Sequence, residues 1–260
     1  MFNFMYNKKT IIIILVIILG LWLITAGEGG ILNLLLTIPG VLIALTFHEF
    51  AHAFAANKLG DETPRVQGRL NLNPLSHIDP VGIIFLIVAG FGWGKPVQID
   101  VRNFKGKYSI SKAESIVSAA GPIMNFILAF VFLIIYYVLF AITDVITGLS
   151  IQWQQIIEII ISYTISINIG LGVFNLIPLP PLDGSKILMH FVPYKGKEWF
   201  YKNGQMFYIV FLLLIVTRLS TIILTPIFSA VFNGLNWVAY NLLKLLTLIY
   251  NFKRGTYLAV

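Results

Sequence analysis

Residues 44–57 read ALTFHEFAHAFAAN, and within them His48, Glu49 and His52 form the spacing H-E-x-x-H. On a helix, positions four apart share a face, so both imidazoles aim at one point while Glu49 stands beside them. That arrangement suits a zinc ion. A catalytic zinc combines three protein ligands with a water, and a neighbouring carboxylate can accept the water's proton. The bland alternative is a pair of histidines satisfied by carbonyls of adjacent helices. Position argues against it, because residues 31–47 are almost all apolar and ionisable groups at such depth are costly unless they pair or bind something.

Two histidines leave one ligand to find. The chain has no cysteine and four histidines, His48, His52, His77 and His190, so thiolate ligands, disulfides and a cysteine nucleophile are excluded together. Asp183, in FNLIPLPPLDG, is the candidate third ligand. The prolines before it cannot continue a helix, irregular backbone in a membrane is tolerated where it lines a cavity, and Gly184 permits a tight turn. The competing role for Asp183 is capping a helix over 185–191. His77, in NPLSHIDP, reads first as a loop-stabilising histidine and second as a ligand of another metal. Asn168 and Asn175 either orient the turn that carries Asp183 or bridge helices.

The elements that hold these side chains belong to a very apolar chain. Of 260 residues, 58% are hydrophobic, and the mean hydropathy of +0.86 excludes a soluble domain. The expected fold is an all-α polytopic membrane protein, a single membrane domain over 1–260 with about six transmembrane helices. They are an N-terminal anchor at 10–26, which a cleaved signal peptide would also fit, then 32–57 with the metal motif, 113–142 and 156–177. Two C-terminal helices within 206–250, split near Pro226, complete the set, and the catalytic core is 32–192. Residues 81–93 would make a helix of about 20 Å against a hydrocarbon core of about 30 Å. A short re-entrant hairpin or loop after the metal-binding helix is therefore expected there.

The net charge of +7 does not point to nucleic acid, since the basic residues sit in loops between apolar runs, as the positive-inside rule requires. With 81–93 re-entrant, both termini are cytoplasmic, and of 18 Lys and Arg residues only Arg218 falls away from the cytoplasmic half. A single crossing there would carry Asp183 to the face opposite the motif helix's cytoplasmic end.

HEFAH, NPLSHIDP, GKPV, AGPIMN and FNLIPLPPLDG, in this order, resemble the site-2 protease family of intramembrane zinc metalloproteases, in the compact bacterial form without a PDZ or CBS domain. The resemblance spans roughly 39–190. It implies one Zn2+ per chain held by His48, His52 and Asp183, with Glu49 as general base. Asn125, in AGPIMN, is implied near the reaction centre, as a hydrogen-bond donor to an oxyanion or substrate backbone; polar glue between helices is the alternative. The implied activity is hydrolysis of peptide bonds in transmembrane segments of membrane-anchored substrates. A substrate helix must unwind first, and residues 81–93 would assist by offering a strand edge, unless they form a short packed helix. The implied setting is a bacterial cell membrane, with a transmembrane protein substrate and the lipid bilayer as partners and no nucleic acid. A metal-binding transporter and a catalytically inactive membrane-binding relative are the competing classes. The first needs ligands on an adjacent helix, where 10–26 has none and 113–142 only Glu114 at its edge; the second is disfavoured by the intact Glu49.

Overall fold

The computed structural model describes residues 27–79, 81–82, 93–106, 108–142, 146, 148–217 and 219–254. Its elements are α-helices: α1 (Gly27–Lys58), α2 (Thr63–Val66), α3 (Pro74–His77), α4 (Ile110–Tyr137), α5 (Ile151–Asn175), α6 (Asp183–Phe191), α7 (Tyr194–Lys202), α8 (Gly204–Val216) and α9 (Leu219–Arg254). One 3-10 turn (Val101–Asn103) precedes α4, and a wider π turn (Val138–Ile142) ends it. Polar residues start the pieces where the apolar runs stop: Ser109 accepts from Lys112 N at the head of α4, and Asn73 accepts from Leu75 N at the head of α3.

Four helices among the described residues are long and apolar enough to cross a bilayer, Gly30–Lys58, Ile110–Phe140, Ile151–Asn175 and Ile222–Leu248. This is a multi-pass membrane protein. The expected anchor at 10–26 lies outside the described residues, as does most of 81–93. The expected pair of crossings within 206–250 is redrawn. Pro226 lies inside α9, and the break falls earlier, where Thr217 N and Thr217 Oγ1 both donate to Leu213 O and close α8. A proline costs a helix one N–H bond and a clash, yet long apolar flanks carry the helix through it. The 13 residues of α8 reach only about 20 Å, short of a full crossing.

Contacts between α1, α4 and α5 settle their directions. His52 meets Val117 while Ala44 meets Asn125, so α1 and α4 are antiparallel. Asn125 meets Asn168, and Gly40 lies against Thr164, so α5 runs parallel to α1. Both the end of α1 and the end of α5 thus reach the same end of the bundle, which brings the proline-rich turn before Asp183 beside the motif. Lipid offers little hydrophobic drive for helix association, so close packing matters. A Cβ on Gly40 would sit 2.9 Å from Thr164 Cα, and one on Gly172 would sit 2.7 Å from the Phe126 ring. Ala129, Leu133, Ile161, Ile165, Ile169, Val173 and Ala239 form the buried apolar cluster further along.

Beyond α1 the chain is tied down by backbone and polar groups. Ile78 pairs with Gly94 in an isolated antiparallel bridge, Lys95 N donates to His77 O at 2.8 Å, and Trp93 Nε1 donates to Asp79 Oδ2 at 3.2 Å. Fully buried Asp61 accepts from Thr63 N, Thr63 Oγ1, Asn103 Nδ2 and Asp100 N. Burial pushes the Asp61 carboxyl up, but the hydrogen bonds from Thr63, Asn103 and Asp100 outweigh it and hold its pKa below the ordinary carboxylate value. A pKa depressed by folding gives stability that is present above the ordinary carboxylate pKa and lost as pH falls through the lower folded value. Thermal melts of wild type and Asp61→Asn between pH 6 and pH 3 should therefore converge toward the acid end, with wild type the more stable near neutrality.

Candidate metal centre

The motif spacing does what a helix dictates. His48 Nε2 and His52 Nε2 lie 3.0 Å apart on one face of α1, and each is 3.2 Å from Asp183 Oδ2. All three side chains are largely enclosed. Among the described residues they are the one group of three His, Cys, Asp or Glu able to share an ion.

The tautomers can be assigned from carbonyls, which only accept. Val117 O takes the His52 Nδ1 proton at 2.7 Å. Asn125 Nδ2 donates to Ala44 O at 3.1 Å and to Asn168 Oδ1 at 3.0 Å, which turns Asn125 Oδ1 to the His48 Nδ1–H at 2.6 Å. Asn168 is fixed in turn by donating to Thr164 O at 2.8 Å. Each neutral imidazole therefore presents the Nε2 lone pair to the same point. Two lone pairs and a carboxylate oxygen at 3.0–3.2 Å repel one another unless a cation lies among them.

Those spacings fit zinc, since ligand atoms about 2.0–2.1 Å from a tetrahedral ion are roughly 3.3 Å apart. Space is kept for it. A Cβ on Gly121 of α4 would sit 2.5 Å from His52 Nε2 and 2.7 Å from His48 Nε2, so only glycine leaves the donors open.

Asp183 opens α6, and its neighbour explains why the turn comes so close. A Cβ on Gly184 would collide with the carbonyls of Leu176 and Ile177 at the end of α5. Glu49 is buried beside the histidines, and its Oε2 accepts the Val97 N–H at 2.9 Å. His77 stands apart from the cluster, fully buried with Nε2 donating to Asn71 O at 2.8 Å, a loop-stabilising arrangement. Asn175 bonds its own helix through Leu171 O.

The structure thus brings together His48, Glu49, His52, Asn125 and Asp183. Both amide hydrogens of Asn125 are already engaged, which suits orientation of His48 better than donation to a reacting oxygen. The roles of Val117 O and the Val97 amide were not anticipated, because backbone groups leave no residue-type signal; Gly121 stood in the AGPIMN motif, but its closeness to both imidazoles was not legible there. Only Asn168, a polar residue in an apolar helix, carried one.

A buried His, His, Asp donor set with an adjacent glutamate, inside a membrane bundle, defines an intramembrane zinc metalloprotease. The chain belongs to peptidase family M50, whose family model matches residues 36–217. It is 39% identical over 191 residues to "Putative zinc metalloprotease YwhC" of Bacillus subtilis, covering 73% of this chain and 84% of that one. It is 33% identical over 153 residues to "Putative zinc metalloprotease Rip2" of Mycolicibacterium smegmatis, of which it spans 54%, about half. "Putative zinc metalloprotease MJ0611" of Methanocaldococcus jannaschii is 24% identical over 189 residues. No solved structure matches it significantly.

Gly121→Ala should cost the protein its zinc, read by metal analysis after dialysis, while circular dichroism still reports the helical fold. Asn125→Leu should keep the fold and weaken zinc binding about 10- to 100-fold, the usual effect of losing a partner that orients a ligand.

Proposed function

We propose that His48, His52 and Asp183 are the zinc ligands of this metalloprotease and that Glu49 is its general base. The observation that carries the assignment is the meeting of His48 Nε2, His52 Nε2 and Asp183 Oδ2 from two distant parts of the chain, with Glu49 alongside. When bound, zinc acidifies water and polarises a peptide carbonyl. Glu49, with Oε2 held by Val97, takes the proton at its carboxylate and returns it to the leaving amine. Asn125 acts through His48, holding the imidazole in the ligating tautomer.

The substrate is a transmembrane helix of a membrane-anchored protein, unwound locally before attack. His52 lies about 9 Å and His48 about 15 Å inward from Lys58, so the site sits within one leaflet and draws water from the nearer face. That face is the cytoplasmic one by charge, in a bacterial cell membrane, with both termini on the same side. A cytoplasmic C-terminus requires the α8–α9 region to return across the bilayer. A re-entrant course for 81–93 is supported from both sides: its flanks are bridged at Ile78 and Gly94, and antiparallel α1 and α4 start and finish the intervening stretch at one end of the bundle. Residues 1–260 then act as a single membrane domain with its catalytic core at 32–192. A transporter would need further ligands at this depth, and the described residues offer a single three-ligand cluster.

Glu49→Gln should retain one zinc per chain and lose at least about 100-fold in cleavage of a membrane-embedded test helix, as expected for a missing general base. Retained cleavage removes Glu49 from that role. A cysteine replacing Lys105 should react with an impermeant reagent from the cytoplasmic side alone; labelling from outside would make 81–93 a crossing segment.

A further inference from the structure

One hydrogen bond at the site is unrelated to metal ligation, the Val97 N–H donated to Glu49 Oε2 at 2.9 Å. A backbone amide holds a carboxylate only as steadily as its own segment is held. Residues 93–100 have no helix or ladder of their own, apart from the single bridge at Gly94. Their position rests on ties at either side of Val97. On the near side, Lys95 N bonds His77 O, and Trp93 Nε1 bonds Asp79 Oδ2. On the far side the ties centre on Asp61, with two further bonds beside it.

Asp61 is a carboxylate with no exposed surface and, among the described residues, no cation at ion-pair distance. Burying such a group is costly unless hydrogen bonds compensate. Its Oδ2 accepts Asp100 N at 2.8 Å, and its Oδ1 accepts Asn103 Nδ2 at 3.0 Å as well as Thr63 N at 3.0 Å. Lys105 N adds a bond of 2.7 Å to Leu59 O, and exposed Gln67 reaches Gln98 at 2.8 Å. Two of the four bonds to Asp61 thus come from the segment after Val97, and two from Thr63 just after α1. The carboxylate staples one to the other. The donors to the Asp61 carboxylate are Thr63, Asp100 and Asn103 and include none of the metal-centre side chains, so its side chain is linked to Glu49 through the strap of residues 97–103.

We propose that Asp61 is a positioning residue for the peptidase reaction: it clamps residues 100–103, the clamp sets the height of the Val97 amide, and that amide keeps the Glu49 carboxylate turned for proton transfer. The inference rests on Glu49 being the base. Its effect falls on the chemical step, with zinc binding and substrate docking left in place.

The test uses the full chain in detergent micelles and a fluorescently labelled single-transmembrane-helix peptide as probe. Asp61→Asn, and separately Asn103→Ala as a milder release of the strap, should each lower kcat about tenfold or more, in line with the cost of misplacing a catalytic group. KM should stay within about twofold and zinc at one per chain. Hydrogen exchange should quicken in a peptide covering 93–105 and stay unchanged in α4. Val97→Pro removes the donor itself, so adding Asp61→Asn to it should slow kcat no further. Cleavage that survives Glu49→Gln overturns this inference together with the assignment it rests on. Cleavage that needs Glu49 but is indifferent to Asp61→Asn, rises in KM alone, or shows multiplying losses in the double variant overturns this inference only.

Discussion

Three electron-rich atoms held within 3.2 Å of one another, away from water, are the constraint on which this fold depends. Such a cluster is repulsive unless positive charge sits at its centre. The rest of the bundle therefore has to do two opposed things: force the donors together, and keep every other group out of the space they enclose. Gly121 meets the second demand by lacking a side chain where one would touch both Nε2 atoms. Helix geometry meets the first for His48 and His52. For Asp183 the parallel course of α1 and α5 is needed, so that a turn more than 120 residues later arrives at the same end of the bundle.

Orientation of the two imidazoles is delegated to groups that cannot turn around. A side-chain amide or an imidazole can flip, whereas a helix carbonyl is locked by its own backbone. Val117 O fixes His52 directly, and Ala44 O and Thr164 O fix His48 at one and two removes, through Asn125 and Asn168. The polar chain spans α1, α4 and α5, so the same bonds that set the tautomers also pin the helices to one another. In lipid, where apolar packing gives helices little reason to prefer each other over the surroundings, a fully satisfied buried polar network is one of the few available devices for specifying an arrangement.

The polar stretch after α1 follows a different logic. It stands beyond the predicted span, and it is organised by capping and by a buried carboxylate instead of by a ladder. Asp61 gathers donors from residues 63, 100 and 103. The bridge between Ile78 and Gly94 gathers the other flank. Between them the chain passes over Glu49, so a loop with little regular structure still delivers one amide at hydrogen-bond distance from the carboxylate beside the clustered imidazoles.

Much of this was legible in the residues themselves. H-E-x-x-H spacing aims two imidazoles at one point beside an acid because helical periodicity is local, and hydropathy determines a multi-pass membrane protein because lipid tolerates few alternatives. Asp183 could be proposed from its proline-rich turn, since few acids occur in so apolar a chain. Hydropathy could not locate the break between α8 and α9, because a single proline in a long apolar run can be absorbed, and the split drawn at Pro226 fell instead at Thr217. What only the tertiary structure decided was the partner of each polar atom: Asn125 as acceptor for His48, Gly121 as the floor of the site, Val97 against Glu49 and Asp61 as the staple. The physical reason is common to all four. Each is a contact between segments distant in the chain, made by a backbone group or by an ordinary residue type, and such contacts acquire their meaning only when packing chooses the neighbour.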